Sequence, residues 1–202
     1  LPRWPSPPPR SSDPPLNPND RARPARLFLW RRFARVWPLH GAILAGFLGL
    51  AAVMIATGRD ASAYPLGELP LHLLLIQNWG LTEALSWNHP AWSISTEFAA
   101  YLVFPALVLM ARWDRVPSAA LLALAALLAG GIFLLFSLNG HTNLGADIPG
   151  LGLWRCLASF AMGCLMCQLW QRWSGAARGG AFAGLSCAAI IAGAFALGLP
   201  ET

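Results

Sequence analysis

Within the largely apolar run WNHPAWSISTEFAAYLVFP at positions 87–105, Ser93, Glu97 and Tyr101 recur at a fixed interval. Their spacing of four places them on one face of a helix. A carboxylate at membrane depth costs on the order of 2.5–3.5 kcal/mol on insertion scales, so it needs a compensating role. Glu97 is therefore the candidate catalytic carboxylate, handling a proton or a substrate, with Ser93 and Tyr101 as acceptor-side candidates on the same stripe. The competing reading is a glutamate that pairs with a neighbouring helix for packing alone. Arg32 and Arg35, three apart, present two guanidinium forks on one helical surface, a geometry suited to bidentate contact with phosphate. Arginines ahead of a first span also act as a topogenic signal, and spacing does not separate the two roles.

Two further acceptor-side candidates stand near the expected outer surface. His89 takes the N-cap place before Pro90, which suits a first helical position. Arg155 is expected to open a later helix from the same side, where it would pair with Glu97 or snorkel to the interface. Glu97 lies about 9 Å inside its helix at 1.5 Å per residue, in the outer third of the membrane. The remaining histidines, His40, His72 and His141, show no metal-ligand spacing, and no metal is expected. Cys164 and Cys167 form C-x-x-C on a predicted membrane helix without further ligands, so they read as small core residues.

The elements that must carry these groups follow from composition. The chain is 56% hydrophobic and only 11% charged. A soluble domain of this length carries roughly twice that charge. The apolar residues fall in long runs, which marks an integral membrane protein of all-α class, a polytopic transmembrane helix bundle. About five spans are expected: Leu39–Thr57, Pro90–Met110, Ala119–Leu138, Leu153–Leu169 and Ala181–Leu199. The apolar stretch Leu69–Trp79 is too short to cross and reads as re-entrant or interfacial. Residues 1–24, rich in Pro, Ser, Asn and Arg, read as a disordered tail. Residues 25–38 read as an amphipathic interfacial helix that Pro38 breaks or kinks, and 39–202 as the transmembrane region. Gly180 and Gly184, and the pair Gly130–Gly131, would let neighbouring helices approach closely.

All fourteen basic residues are arginine. They crowd ahead of the first span and recur at Arg112, Arg115, Arg172 and Arg178, an alternation that puts the N-terminus in the cytoplasm. A bacterial inner (cytoplasmic) membrane location is expected.

The same pieces, in this order, resemble the membrane-bound acyltransferase-3 family, which includes O-acetyltransferases acting on bacterial surface polysaccharides and antibiotics. FLWRRFARVWP (28–38) is similar to its aromatic-R-R-x-x-R-[IV]-x-P signature. NHPAWSISTEFAAYLVFP (88–105) looks like its W-S-[LI]-x-x-E-x-x-x-Y-x-x-[FL]-P stretch, and WRCLASFAMGCLMCQLW (154–170) like its later R-x-x-x-x-F-x-x-G helix. The resemblance implies that Arg32 and Arg35 meet an acyl-CoA donor, acetyl-CoA above all, and that Glu97 is a functional membrane carboxylate. The acceptor it implies is a hydroxyl, commonly of a carbohydrate. No bound cofactor and no nucleic-acid partner are expected. The family's presumed general base, a histidine eleven residues after a basic residue, has no counterpart: no arginine here has His eleven positions on. The chain is therefore expected to hold the middle of such an enzyme without its base. A small transporter or export subunit, with Glu97 and Arg155 as a pathway pair, is the first rival reading. A non-catalytic remnant is the second.

Overall fold

The computed structural model describes residues 18–110 and 113–173. Every regular element among them is helical. Helix α1 spans Pro18–Ala56, and α2 (Leu69–Leu73) follows a 3-10 turn at Leu66–Glu68. Helix α3 (Ala91–Met110) is joined through a 3-10 turn at Trp113–Arg115 to α4 (Ser118–Leu138), and α5 (Ile148–Trp173) completes the described chain. Four stretches are long and apolar enough to cross a membrane: Ala25–Ala56, Ala91–Val108, Ser118–Leu138 and Ile148–Trp173. The expected fifth span, Gly180, Gly184 and Cys187 lie outside the described residues, as does most of the expected tail.

The first correction concerns α1. Of the expected break or kink at Pro38, the break does not occur; one helix of 39 residues runs through both Pro24 and Pro38. An interior proline costs about 3 kcal/mol through a lost amide bond and a clash one turn back. Here the turns on either side of Pro38 are pinned from outside. Trp37 Nε1 donates to Leu73 O at 3.2 Å, and His40 Nε2 lies 2.9 Å from His72 O. Residues 18–24, expected in the tail, belong to this helix.

A second correction concerns α5, which starts at Ile148 rather than Leu153. The Asp147 carboxylate accepts the Gly150 N–H at 3.1 Å and caps the first turn, and Pro149 sits where its missing N–H costs nothing. Arg155 is thus about two turns inside α5, not at its mouth.

Helix α1 runs antiparallel to α3. Phe28 meets Phe104 with ring centroids 5.3 Å apart, and Phe33 meets Phe98 at 6.2 Å. Helix α5 also packs against α3, with Phe160 edge-on to Phe104 at 5.8 Å. Helix α4 closes on α5 through Leu121, Ala125, Leu165 and Leu169 at one end, and Ile132, Phe136 and Leu151 at the other. Arg172 ties the α3–α4 turn to α5 by donating to the carbonyls of Trp113 and Val116. A Cβ added at Gly130 or Gly131 would meet nothing within 4 Å, so these glycines serve no close helix approach among the described residues.

The arginine-bearing half of α1, rather than its apolar half, lies alongside α3. The apolar half continues past the start of α3 and packs Leu44, Ala51 and Phe47 on Tyr64, Leu69 and Trp87 of the connection 57–90. That connection holds α2, a helix of five residues, and no helix in it is long and apolar enough to cross a membrane.

Candidate active site

Helices α1 and α3 bring two of the sequence candidates together. The Arg32 guanidinium lies over the Tyr101 ring at 5.1 Å and over the Phe28 ring at 5.4 Å. Each such contact stabilises by about 0.5–2 kcal/mol, more as water is excluded. The Tyr101 hydroxyl donates to Glu97 Oε1 one turn back on α3. The arginine, the phenol and the carboxylate therefore form one chain across the α1–α3 seam. Arg35 is exposed, one turn further along α1. The sequence had placed the arginines at one membrane surface and Glu97 near the other. The long, unbroken α1 instead sets Arg32 level with Tyr101.

Other candidates fall elsewhere. Glu97 and Ser93 lie on an exposed face of α3 instead of a buried one. The Ser93 hydroxyl donates to Pro90 O at 3.0 Å and does not join the chain. The expected Glu97–Arg155 pair is not formed. Arg155 donates to Leu144 O and stacks over Trp92 at 5.3 Å. Matching depth along two helices says nothing about their rotation, and the carbonyl in the α4–α5 connection is the nearer acceptor. His89 is exposed. Cys164 and Cys167 line an apolar groove with Phe104, Trp113 and Phe160.

The buried polar face of α3 is one that sequence spacing missed. Ser95 and Thr96 are fully buried, and His40, His72, Gln77 and Asn78 are buried as well. Asn78 N–H donates to Ser95 Oγ at 3.2 Å, and its side chain to Ile148 O at 3.0 Å. Gln77 Nε2 donates to Ala91 O at 3.1 Å, and Trp79 Nε1 to Ser95 O at 3.2 Å. These bonds fasten the connection to α3 and α5. Gly152 makes room for it, since a Cβ there would lie 3.1 Å from Asn78 Nδ2.

Beside this seam runs a second polar chain. The Ser86 hydroxyl donates to Glu68 Oε2 at 2.5 Å, and His72 Nε2 lies 3.1 Å from Ser86 Oγ. Leu75 and Trp87, both buried, hold left-handed backbone at φ 59° and 53° next to it. Such conformations cost about 1–3 kcal/mol each and persist where surrounding contacts over-determine them. Burial first, then His40, pushes the His72 imidazole down to about 4, against the opposing pull of Glu68. Alternation and helical period cannot find this chain, because Glu68, His72 and Ser86 come from an aperiodic connection. Among the described residues no three His, Cys, Asp or Glu side chains converge as a metal site.

Long apolar helices around polar seams define a multi-pass helical membrane protein. The family model of the acyltransferase-3 group, described as an acyltransferase domain, matches residues 16–201. The chain belongs to this family. Acyltransferase MdmB of Streptomyces mycarofaciens is 42% identical over 84 residues, which is 39% of this chain and 20% of that protein. The match thus spans about a fifth of the curated relative's length. No solved structure matches the chain.

Proposed function

We propose that this chain is the donor-binding part of a membrane-bound O-acyltransferase, which moves an acetyl group from acetyl-CoA to a hydroxyl of a carbohydrate or similar acceptor. The observation that carries the reading is the seam where Arg32 on α1 meets Tyr101 and, through it, Glu97 on α3. Family membership supplies the reaction class. The seam supports the roles of its residues, since it joins a cation suited to phosphate with a carboxylate on the facing helix.

Arg35, exposed, reaches the phosphates of coenzyme A, and Arg32, held over two rings, fixes the approach of the donor. Glu97 orients the acceptor or carries a proton. A histidine on another helix of the complete enzyme takes the proton of the acceptor hydroxyl. The oxygen attacks the thioester carbonyl, the C–S bond breaks, and the departing thiolate takes the proton back. The N-terminus faces the cytoplasm, where acyl-CoA is found, and the protein resides in the bacterial inner membrane.

The test is Arg32→Lys with Arg35→Lys in the complete enzyme. Lysine keeps the charge that sets topology and loses the fork. Charge-assisted contacts of this kind contribute on the order of 1.5–3 kcal/mol each. Insertion should be unchanged and coenzyme A affinity should fall by tenfold or more at roughly 1.4 kcal/mol per decade. Unchanged affinity would return both arginines to a purely topogenic role.

A further inference from the structure

The directions of the bonds in the connection 57–90 settle which imidazole nitrogen carries hydrogen. Ser86 uses its one O–H on the Glu68 carboxylate. Its oxygen then has only lone pairs to offer, so His72 Nε2 must be the donor. His72 Nδ1 is left with its lone pair, and that buried atom has no partner among the described residues. Gln77 is in the same position. Its amide nitrogen donates to Ala91 O, and its buried Oε1 has no partner among the described residues. Both residues line one small cavity of about 10 Å³, together with Ser86, Asn88 and His89. A space of roughly 10–15 Å³ admits one oxygen with its hydrogens, given polar partners. Two orphaned acceptors are the complement of a group that donates. Leaving them unmet costs about 1–3 kcal/mol apiece.

We infer that this cavity is a hydroxyl-binding site, in which His72 Nδ1 and Gln77 Oε1 accept hydrogen bonds from O–H, with Glu68 and Ser86 holding the imidazole in the required tautomer. The chemistry is that of an O–H donor, and it has two sources. One is a bound water, which offers both of its hydrogens. The other is a hydroxyl of the acceptor, entering as the tip of a larger molecule, whose single hydrogen serves His72 Nδ1. The second source alone rests on the proposed acyltransferase reading. The site forms on the connection where α1 continues past the start of α3, apart from the Arg32 seam.

The experiment is 15N spectroscopy of the full 202-residue chain, labelled at histidine and reconstituted in nanodiscs at neutral pH, with His72 assigned by loss of its signals in His72→Gln. The expected result is a neutral ring with hydrogen on Nε2 and an Nδ1 resonance shifted to the hydrogen-bonded position. Methyl α-D-glucopyranoside is then added as the probe. Movement of the Nδ1 resonance assigns the site to the acceptor hydroxyl; no movement assigns it to water. Either result upholds the site. Hydrogen on Nδ1, a charged ring, or an Nδ1 that accepts nothing in the wild-type protein overturns it. Ser86→Ala should release the tautomer and populate the Nδ1–H form; an unchanged tautomer would overturn the relay. Because the wild-type spectrum is decisive without acyl transfer, failure of this site and failure of the catalytic reading are told apart.

Discussion

Tyr101 is the residue on which the α1–α3 seam turns, because its ring receives Arg32 and its hydroxyl serves Glu97. Tyr101→Phe keeps the first contact and removes the second. In the complete enzyme, Tyr101→Phe and Glu97→Gln should each lower kcat by roughly tenfold or more, about 1.4 kcal/mol in the barrier, at equal amounts of folded protein. Full activity in Glu97→Gln at equal expression would remove Glu97 from the site. His72 gives a separate prediction. Its folded value near 4 lies below the ordinary 6.5. The unfolded chain therefore binds this proton first as pH falls, and stability is lost from about pH 6.5 down to about 4. Thermal unfolding of the purified protein should show that loss, and His72→Gln should flatten it. His40 and Glu68 are the charged or titratable neighbours that act on this ring. The first seam was legible in the sequence because Glu97 and Tyr101 share a helical period. Its partner across the seam was not, since helix rotation leaves no mark in spacing. The Glu68–Ser86–His72 chain had no signal at all, being closed by contacts between turns of an aperiodic segment.

At the scale of elements, the connection 57–90 depends on one close approach to α5. Gly152 lies where any Cβ would press on the Asn78 amide at 3.1 Å. That amide already donates to Ile148 O. Gly152→Ala should destabilise the protein by about 1–3 kcal/mol through overpacking. A fall in unfolding temperature, with faster amide exchange at residues 76–79 than in the wild type, would verify it; an unchanged temperature would show that Asn78 yields freely. Long apolar runs made α3 and α4 legible almost to the residue. The starts of α1 and α5 were not, because Pro38 read as a boundary and the apolar run of α5 is unbroken only from Leu153. Pro149 sits in a capped first turn, and Pro38 is flanked by two bonds to the connection.

For the whole molecule, the expected orientation follows from the arginines, with the α4–α5 connection outside. Cysteines introduced at Ser118 and Asn143, in a background without the native ones, should separate cleanly. An impermeant maleimide should reach Asn143→Cys from the outside and Ser118→Cys only after permeabilisation. Labelling in the opposite sense would invert the topology. That α3, α4 and α5 are helices of membrane length was legible from composition and hydropathy. The place of α1 beside α3 was not: hydropathy favours its apolar half as the span, whereas aromatic contacts from Phe28 and Phe33 align its arginine-bearing half.

Both polar centres hang from the single unbroken rod of α1. Arg32 and His40 are eight residues apart on it, so they are separated by about 12 Å along the axis and by about 80° of rotation. Those two quantities are a fixed phase relation. Inserting one residue at position 36 would advance His40 by only about 1.5 Å but swing it by about 100°. It would point away from the His72 carbonyl while Arg32 stayed under Tyr101. Inserting four would restore the bearing to within about 40° and add about 6 Å of reach. The helix thus acts as a calibrated shaft whose angular setting, more than its length, decides whether the two centres are engaged together.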